Sequence, residues 1–263
     1  EFMYETSDAI ELNFVDLGWS FGIMAVAIAL SNWQKLGLEK QLLLATGRSF
    51  LQLLALGYLV STIFDLNHPI TIVIILGVML LIATKATQER IDHNGKSFFF
   101  MILGSLLVSS LFTLSYVFSL IVHLKVWYSP RYLIPFTGMI LGNAMNSAAL
   151  SGQHLIRSIR QNHREIETYL CLGASPRQAI INYKYESIRI SLIPILNQMM
   201  VVGVVSLPGM FTGQILGGSD PFNASSYQIL ILFMIVLTNI LTSILVTEGI
   251  YRKCFNKNAQ LIV

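Results

Sequence analysis

Seven apolar runs, at about 16–30, 42–64, 70–86, 98–120, 132–150, 192–216 and 227–251, take up most of this 263-residue chain. A helix needs about 20 apolar residues to cross a bilayer, so seven crossings use roughly 140 residues and leave no stretch for a large soluble domain. A closed barrel is the other architecture that satisfies its backbone within lipid. Barrel strands alternate apolar and polar residues, whereas 72–82 is apolar almost without a break. The expected fold is therefore all-α, an integral membrane protein of about seven transmembrane helices, in keeping with 54% hydrophobic against 12% charged residues. No Gly-x-x-x-x-Gly-Lys-Ser/Thr phosphate loop occurs, so ATP-driven work would need a separate partner chain.

Lys and Arg near span ends stay on the cytoplasmic side, and fifteen of the 17 basic residues fall on one side of a seven-span alternation. That side holds Lys35, Lys40, Arg48, Lys85, Arg90, Lys96, Arg157, Arg160, Arg164, Arg177, Lys184, Arg189, Arg252, Lys253 and Lys257; the other holds Lys125 and Arg131. The N-terminus is expected outside and the C-terminus inside. Trp19, Trp33, Trp127, Tyr128 and Tyr132 fall near the span ends, where aromatic rings favour the headgroup region. Glu1 and Phe2 precede Met3 and read as a cloning scar, which makes 3–263 a single transmembrane domain. The acidic residues Glu5, Asp8, Glu11 and Asp16 do not fit a removable leader. The net charge of +3 reflects topology rather than a nucleic-acid surface. Cys171 and Cys254 fall on the reducing side, and the dispersed histidines suggest no resident metal site.

The longest polar stretch, about 156–190, reads as a helix-turn-helix between spans five and six. Ile156, Ile159, Ile166 and Leu170 recur at helical spacing with His163, while Arg157, Arg160, Arg164, Glu165 and Glu167 take the other faces. Gly173 suits the left-handed residue that closes a helix, Ser175 caps the next one, Pro176 fits its first turn and Gln178 completes the reciprocal cap. A basic amphipathic segment resting on anionic lipid is the plain alternative. A tightly capped turn adds nothing to lipid binding, but it gives a stiff surface through which an ATPase can move membrane helices.

Glu167 followed by Leu172-Gly173-Ala174-Ser175-Pro176-x-Gln178 resembles the cytoplasmic coupling motif of ABC-transporter permeases, departing from the importer pattern at Glu186. Further residues resemble one family, the FetB-type iron-export ABC permeases of bacteria, whose plant relatives are aluminium-tolerance permeases. They include Leu38-Glu39-Lys40, Gly47-Arg48 with Gln52, Pro135, Gly138-Met139-Ile140-x-Gly142-Asn143-Ala144-Met145, Leu192-Ile193-Pro194, Val205-Ser206-Leu207-Pro208-Gly209-Met210 and Asp220-Pro221. The resemblance covers roughly 35–250. It implies two copies of this chain, two ATPase subunits carrying ATP and Mg, and iron as cargo in a bacterial inner (plasma) membrane.

Polar residues inside a membrane are costly and face a cavity or another helix. On the fifth span Gly138 and Gly142 form a small-x-x-x-small face beside Asn143 and Asn146. On the sixth, Pro194, Pro208 and Gly209 interrupt the helix around Asn197 and Gln198, which kinks it or frees carbonyls toward a cavity. Met139, Met145, Met199, Met200 and Met210 share those two spans as soft ligands or plain filler. Arg48 and Gln52 lie one turn apart on the second span, with Glu248 as an expected partner for Arg48. Asp65, Asn67, His68 and Asp220 are exterior polar residues to which no metal site is assigned.

The expected function is the translocating subunit, not itself an enzyme, of an ATP-driven exporter of iron or another metal ion. The alternatives are an ABC permease for a sugar nucleotide or lipid, and an ATPase-independent secondary transporter. The latter is weakened by the near absence of intramembrane charges for ion relay.

Overall fold

A computed structural model describes residues 14–66, 69–91, 98–121, 129–256 and 260–261. The acidic segment before 14, the expected start at Met3, and Asn67, His68, Lys96, Lys125, Trp127, Tyr128 and Lys257 lie outside the described residues. Within them the chain forms nine helices: α1 (Phe14–Trp33), α2 (Glu39–Leu66), α3 (Pro69–Ile91), α4 (Phe99–Leu120), α5 (Pro130–Gln161), α6 (His163–Cys171), α7 (Pro176–Val201), α8 (Gly209–Leu216) and α9 (Pro221–Cys254). No strand occurs among the described residues beyond isolated bridges at Val202 with Ser206 and Phe255 with Leu261. Helices α3, α4 and α9 are long and apolar enough to cross a membrane on length and composition.

Four helices begin with proline, at Pro69, Pro130, Pro176 and Pro221. The first turn has no use for the missing N–H, and the fixed φ is already helical. Asp220 adds a side-chain cap by accepting from the Asn223 N–H at 3.0 Å. Pro135 and Pro194 sit inside α5 and α7 without ending them.

The sixth apolar run corrects the sequence reading. Instead of one kinked helix over 192–216, α7 stops at Val201, a turn follows, and the eight-residue α8 starts at Gly209. Pro208 stands immediately before α8, and Gly203 takes a left-handed φ of 81°. The polar stretch also divides differently. Its first helix is the extension of α5 to Gln161, separated from α6 at Asn162, whose side chain bonds back to Ser158 O at 2.9 Å. Asn competes for backbone groups in this way, and the helix breaks there.

The chain forms two compact units. In one, α1 and α2 meet across a turn with left-handed Lys35 and Gly37. Ser31 Oγ donates to Glu39 Oε1 at 3.1 Å, and the Phe21 and Phe50 rings meet edge to face. Among its described residues only Ser31 is buried, and Trp19, Ile23, Leu44 and Tyr58 are exposed.

In the other unit α5 is the hub, packed against α9, α3 and α7 and less extensively against α4 and α6. One core cluster gathers Ile102, Leu106, Leu155, Ile159, Ile166, Ile180, Val246 and Ile250; the other holds Leu114, Phe136, Ile140, Ile195, Ile231 and Ile235. Buried hydroxyls join the helices between them: Ser109 with Thr242 at 2.6 Å, Thr238 to Thr113 at 2.9 Å, and Ser243 with both Ser147 and Ser191 at 2.9 Å. Small side chains bring the backbones close, and the hydroxyls supply the hydrogen bonds apolar packing lacks. The tightest approaches fall at Gly152 and Gly249. An added Cβ would strike Ile91 at the first and Met101 at the second. At Gly138 it would sit 3.3 Å from Met79, and at Gly142 it would meet open space.

Candidate functional site

The α6–α7 elbow folds as its residues dictate. Gly173 adopts φ 88°, its N–H bonds Leu170 O at 3.0 Å, and the Ala174 N–H bonds Tyr169 O at 3.0 Å. This doubly bonded closure is the Schellman arrangement, which satisfies the last carbonyls of a helix. Across the turn the Ser175 N–H donates to Gln178 Oε1 at 2.9 Å, and the Gln178 N–H to Ser175 Oγ at 3.4 Å. Both reciprocal bonds of the cap are therefore made.

Glu167, Leu172, Gly173, Ser175 and Gln178 are exposed on this elbow, with Ala174 and Pro176 half-buried. Leu172, 79% exposed, carries an apolar side chain at the tip. Behind it Ile166, Ala179 and Ile180 are buried in the first core cluster. Glu167 pairs with His163 one turn earlier at 3.4 Å.

Two contacts that sequence reasoning missed brace the elbow. Tyr183 donates its phenol to Glu165 Oε2 at 2.9 Å, tying α7 to α6. Burial pushes that phenol up to about 12, and the Glu165 carboxylate beside it adds to the rise. Lys184 on α7 pairs with Glu248 on α9, whose other oxygen meets Arg252 at 3.3 Å. Within its own unit Glu248 therefore has Lys184 and Arg252 as partners, one at each carboxylate oxygen. Glu248 stands near the end of the seventh apolar run, but Lys184 lies within the polar stretch 156–190, so nothing local in the sequence paired them. Arg48 and Gln52 occupy exposed positions on α2.

The polar residues chosen from the sequence sit on α5 and on the last turns of α7. Asn143 is half-buried and bonds its own helix, Nδ2 to Met139 O at 2.9 Å. Asn146 is exposed and accepts from Arg90 Nη1 at 2.7 Å, while Gln153 donates to the Arg90 carbonyl. Those bonds fasten the end of α3 to α5. Asn197 and Gln198 are exposed on the last turns of α7. Met139, Met199 and Met210 pack against the second core cluster, Met145 against the first, and Met200 is exposed.

A cavity of about 460 Å³ opens between α3, α4 and α5, lined by Gly77, Leu80, Ser110, Leu114, Thr137 and Leu141 among others. It takes in none of the expected pathway residues. Among the described residues no cluster of three or more His, Cys, Asp or Glu side chains is placed to hold a metal ion.

Comparison with known proteins supplies the family. The pattern of the uncharacterised protein family UPF0014 matches residues 14–255. The UPF0014 membrane protein slr1647 of Synechocystis is 53% identical over 97% of this chain and 98% of its own length. The "Probable iron export permease protein FetB" of Escherichia coli is 36% identical over 92% of each chain, and the UPF0014 membrane protein STAR2 of rice is 35% identical over 91% of this chain and 82% of its own. No solved structure matches. A likeness that runs through nearly the whole chain, on an all-helical fold with apolar spans, makes this chain a member of the UPF0014 family of membrane proteins, to which the FetB iron export permease and its plant relatives are homologous.

Proposed function

We propose that the chain is the membrane-spanning permease subunit of an ABC transporter, exporting iron or another metal ion from the cytoplasm with ATP hydrolysed by a separate partner. The observation that carries this reading is the α6–α7 elbow. It is doubly capped, exposes Leu172 and Glu167, and stands on buried residues of α6 and α7. A relative of 36% identity named as a probable iron export permease supports the cargo. In this reading the chain crosses the inner membrane about seven times with its N-terminus outside, α7, the turn after it and α8 together making the sixth crossing. Two copies work with two ATPase subunits that bind ATP and Mg. Movement of the ATPase pushes the elbow, and α5 and α7 shift between inward and outward states. Asn143, Asn146, Asn197, Gln198 and the methionines beside them are the cargo contacts of this proposal. Glu167, Leu172, Gly173, Ala174, Ser175, Pro176 and Gln178 make the docking face.

The test is retention of radioactive iron in loaded cells that express the chain with an ABC ATPase that co-purifies with it. Faster iron loss only with a hydrolysis-competent ATPase is the expected result. Equal retention with active and inactive ATPase in assembled complexes would withdraw iron, and a screen of other metals and sugar nucleotides would follow.

A further inference from the structure

The turn between α7 and α8 lies level with the second core cluster, although its own residues are exposed. Met199, Val202 and Met210, on either side of it, pack against the cluster of Ile140, Ile195, Ile231 and Ile235. Ile231 lies about 15 Å along α9 from Pro221, and Ile140 about 15 Å along α5 from Pro130, at 1.5 Å per residue. Helix α9, at 34 residues, is about 50 Å long against a hydrocarbon thickness of about 30 Å. A layer that far from the helix ends falls inside the hydrocarbon zone, given the membrane-spanning permease reading on which this inference rests.

Irregular backbone at such depth persists only where protein buries it or where it lines a polar cavity. Within the described residues of its own unit in one chain the turn is open, with Val204 89% and Val205 80% exposed. The polarity of the turn is also one-sided. Gly203 donates its N–H to Ser206 O, the N–H groups of Val204, Val205 and Ser206 all turn back to Val201 O, and Pro208 has none. The carbonyls of Val202, Gly203, Val204 and Val205 accept no hydrogen bond among the described residues. Ser206 Oγ has no partner among the described residues either, and Asn197 and Gln198 are exposed one turn earlier. The turn also closes the C-terminal, negative end of α7. Carbonyl oxygens at the end of a broken helix are hard, uncharged donors. They favour an oxygen-preferring cation and hold it loosely enough to release it.

We propose that the α7–α8 turn is a cation-binding site of the translocation path, taking a hard divalent cation on the carbonyl oxygens of 202–205. Val202-Gly203 is the sole Val-Gly pair in the sequence. Carbonyl-13C valine with 15N glycine therefore marks this one peptide bond in the full chain, reconstituted in lipid nanodiscs. Manganese(II), a paramagnetic oxygen-preferring probe, should bleach that signal at substoichiometric amounts, and excess magnesium should restore it. Gly203→Ala, forced to hold φ 81° with a side chain, should weaken manganese affinity about tenfold. Gly218→Ala, with the same φ of 81° and equally open space, should leave it unchanged. A signal that ignores saturating manganese, or equal weakening by both substitutions, would overturn the site. Iron export that persists with an insensitive signal sinks this site and leaves the permease reading. A bleached signal in a chain that exports nothing with any ATPase keeps the site and sinks the reading.

Discussion

At its Pro176 end α7 is closed by the chain itself: Gly173 and Ala174 satisfy the carbonyls of α6, and Ser175 with Gln178 satisfies the first N–H groups of α7. At its Val201 end the same helix stops in a turn that uses its own donors and leaves a row of acceptors open. The first break needs nothing further and is stiff. The second leaves the carbonyls of 202–205 without a donor among the described residues. One helix thus joins a closed elbow to an open turn, about 39 Å apart at 1.5 Å per residue.

Gly173→Val gives the sharpest attack on this contrast. A β-branched residue in left-handed backbone costs about 1–2 kcal/mol and distorts the elbow, so iron exported per ATP hydrolysed should fall at least tenfold in assembled complexes. A wild-type ratio would remove the elbow from the coupling path. Lys184→Met comes next. It withdraws the α7 partner of Glu248 and should cost about 2 kcal/mol in thermal unfolding, less than a fully buried pair because Arg252 remains. Exchanging the two residues should restore most of the loss, and an unchanged melting temperature in the single variant would end the bracing role.

A pair of serines compares the two breaks directly. Ser175→Ala removes a helix cap and should cost about 1 kcal/mol, read as faster amide exchange at Gln178 and Ala179. Ser206→Ala removes a hydroxyl without a partner and should cost nothing or stabilise slightly. Equal losses would mean that the second turn is as closed as the first. The smallest effect belongs to Tyr183. The folded chain holds the phenol proton to about 12 whereas the unfolded chain releases it near 10.0. The stability this confers is present below about pH 10 and drains away as pH rises to about 12. Tyr183→Phe should lack that decline when unfolding is followed across this range.

Much of the fold was legible in the sequence because its signals are local. Six of the seven apolar runs are helices, and the elbow formed with the glycine, serine, proline and glutamine in the roles their backbone chemistry assigns. The sixth run misled because Leu192 to Leu216 is apolar enough overall to read as one span despite Asn197, Gln198 and two prolines within it. Hydropathy registers burial in lipid but not whether the backbone stays helical, and Pro194, Pro208 and Gly209 marked an interruption without saying whether it would be a kink or a full break. Asn143 and Asn146 were picked as intramembrane polar residues, but their partners, Met139 O and Arg90, depend on helix rotation and on a contact from another helix. The hydroxyls of Ser109, Ser147, Ser191, Thr238, Thr242 and Ser243 drew no notice, since a single serine in an apolar helix carries no meaning until its opposite number is known.

The residues alone determined the helical class, the helix starts at proline, and the closed elbow, because each follows from bonds made within a few residues of chain. Only the tertiary structure decided which glycines let helices touch, that Glu248 belongs to Lys184, and that the turn after Val201 lies level with a core cluster instead of beyond the helix ends. Those outcomes rest on contacts between residues tens of positions apart, and packing geometry rather than local propensity selects among them.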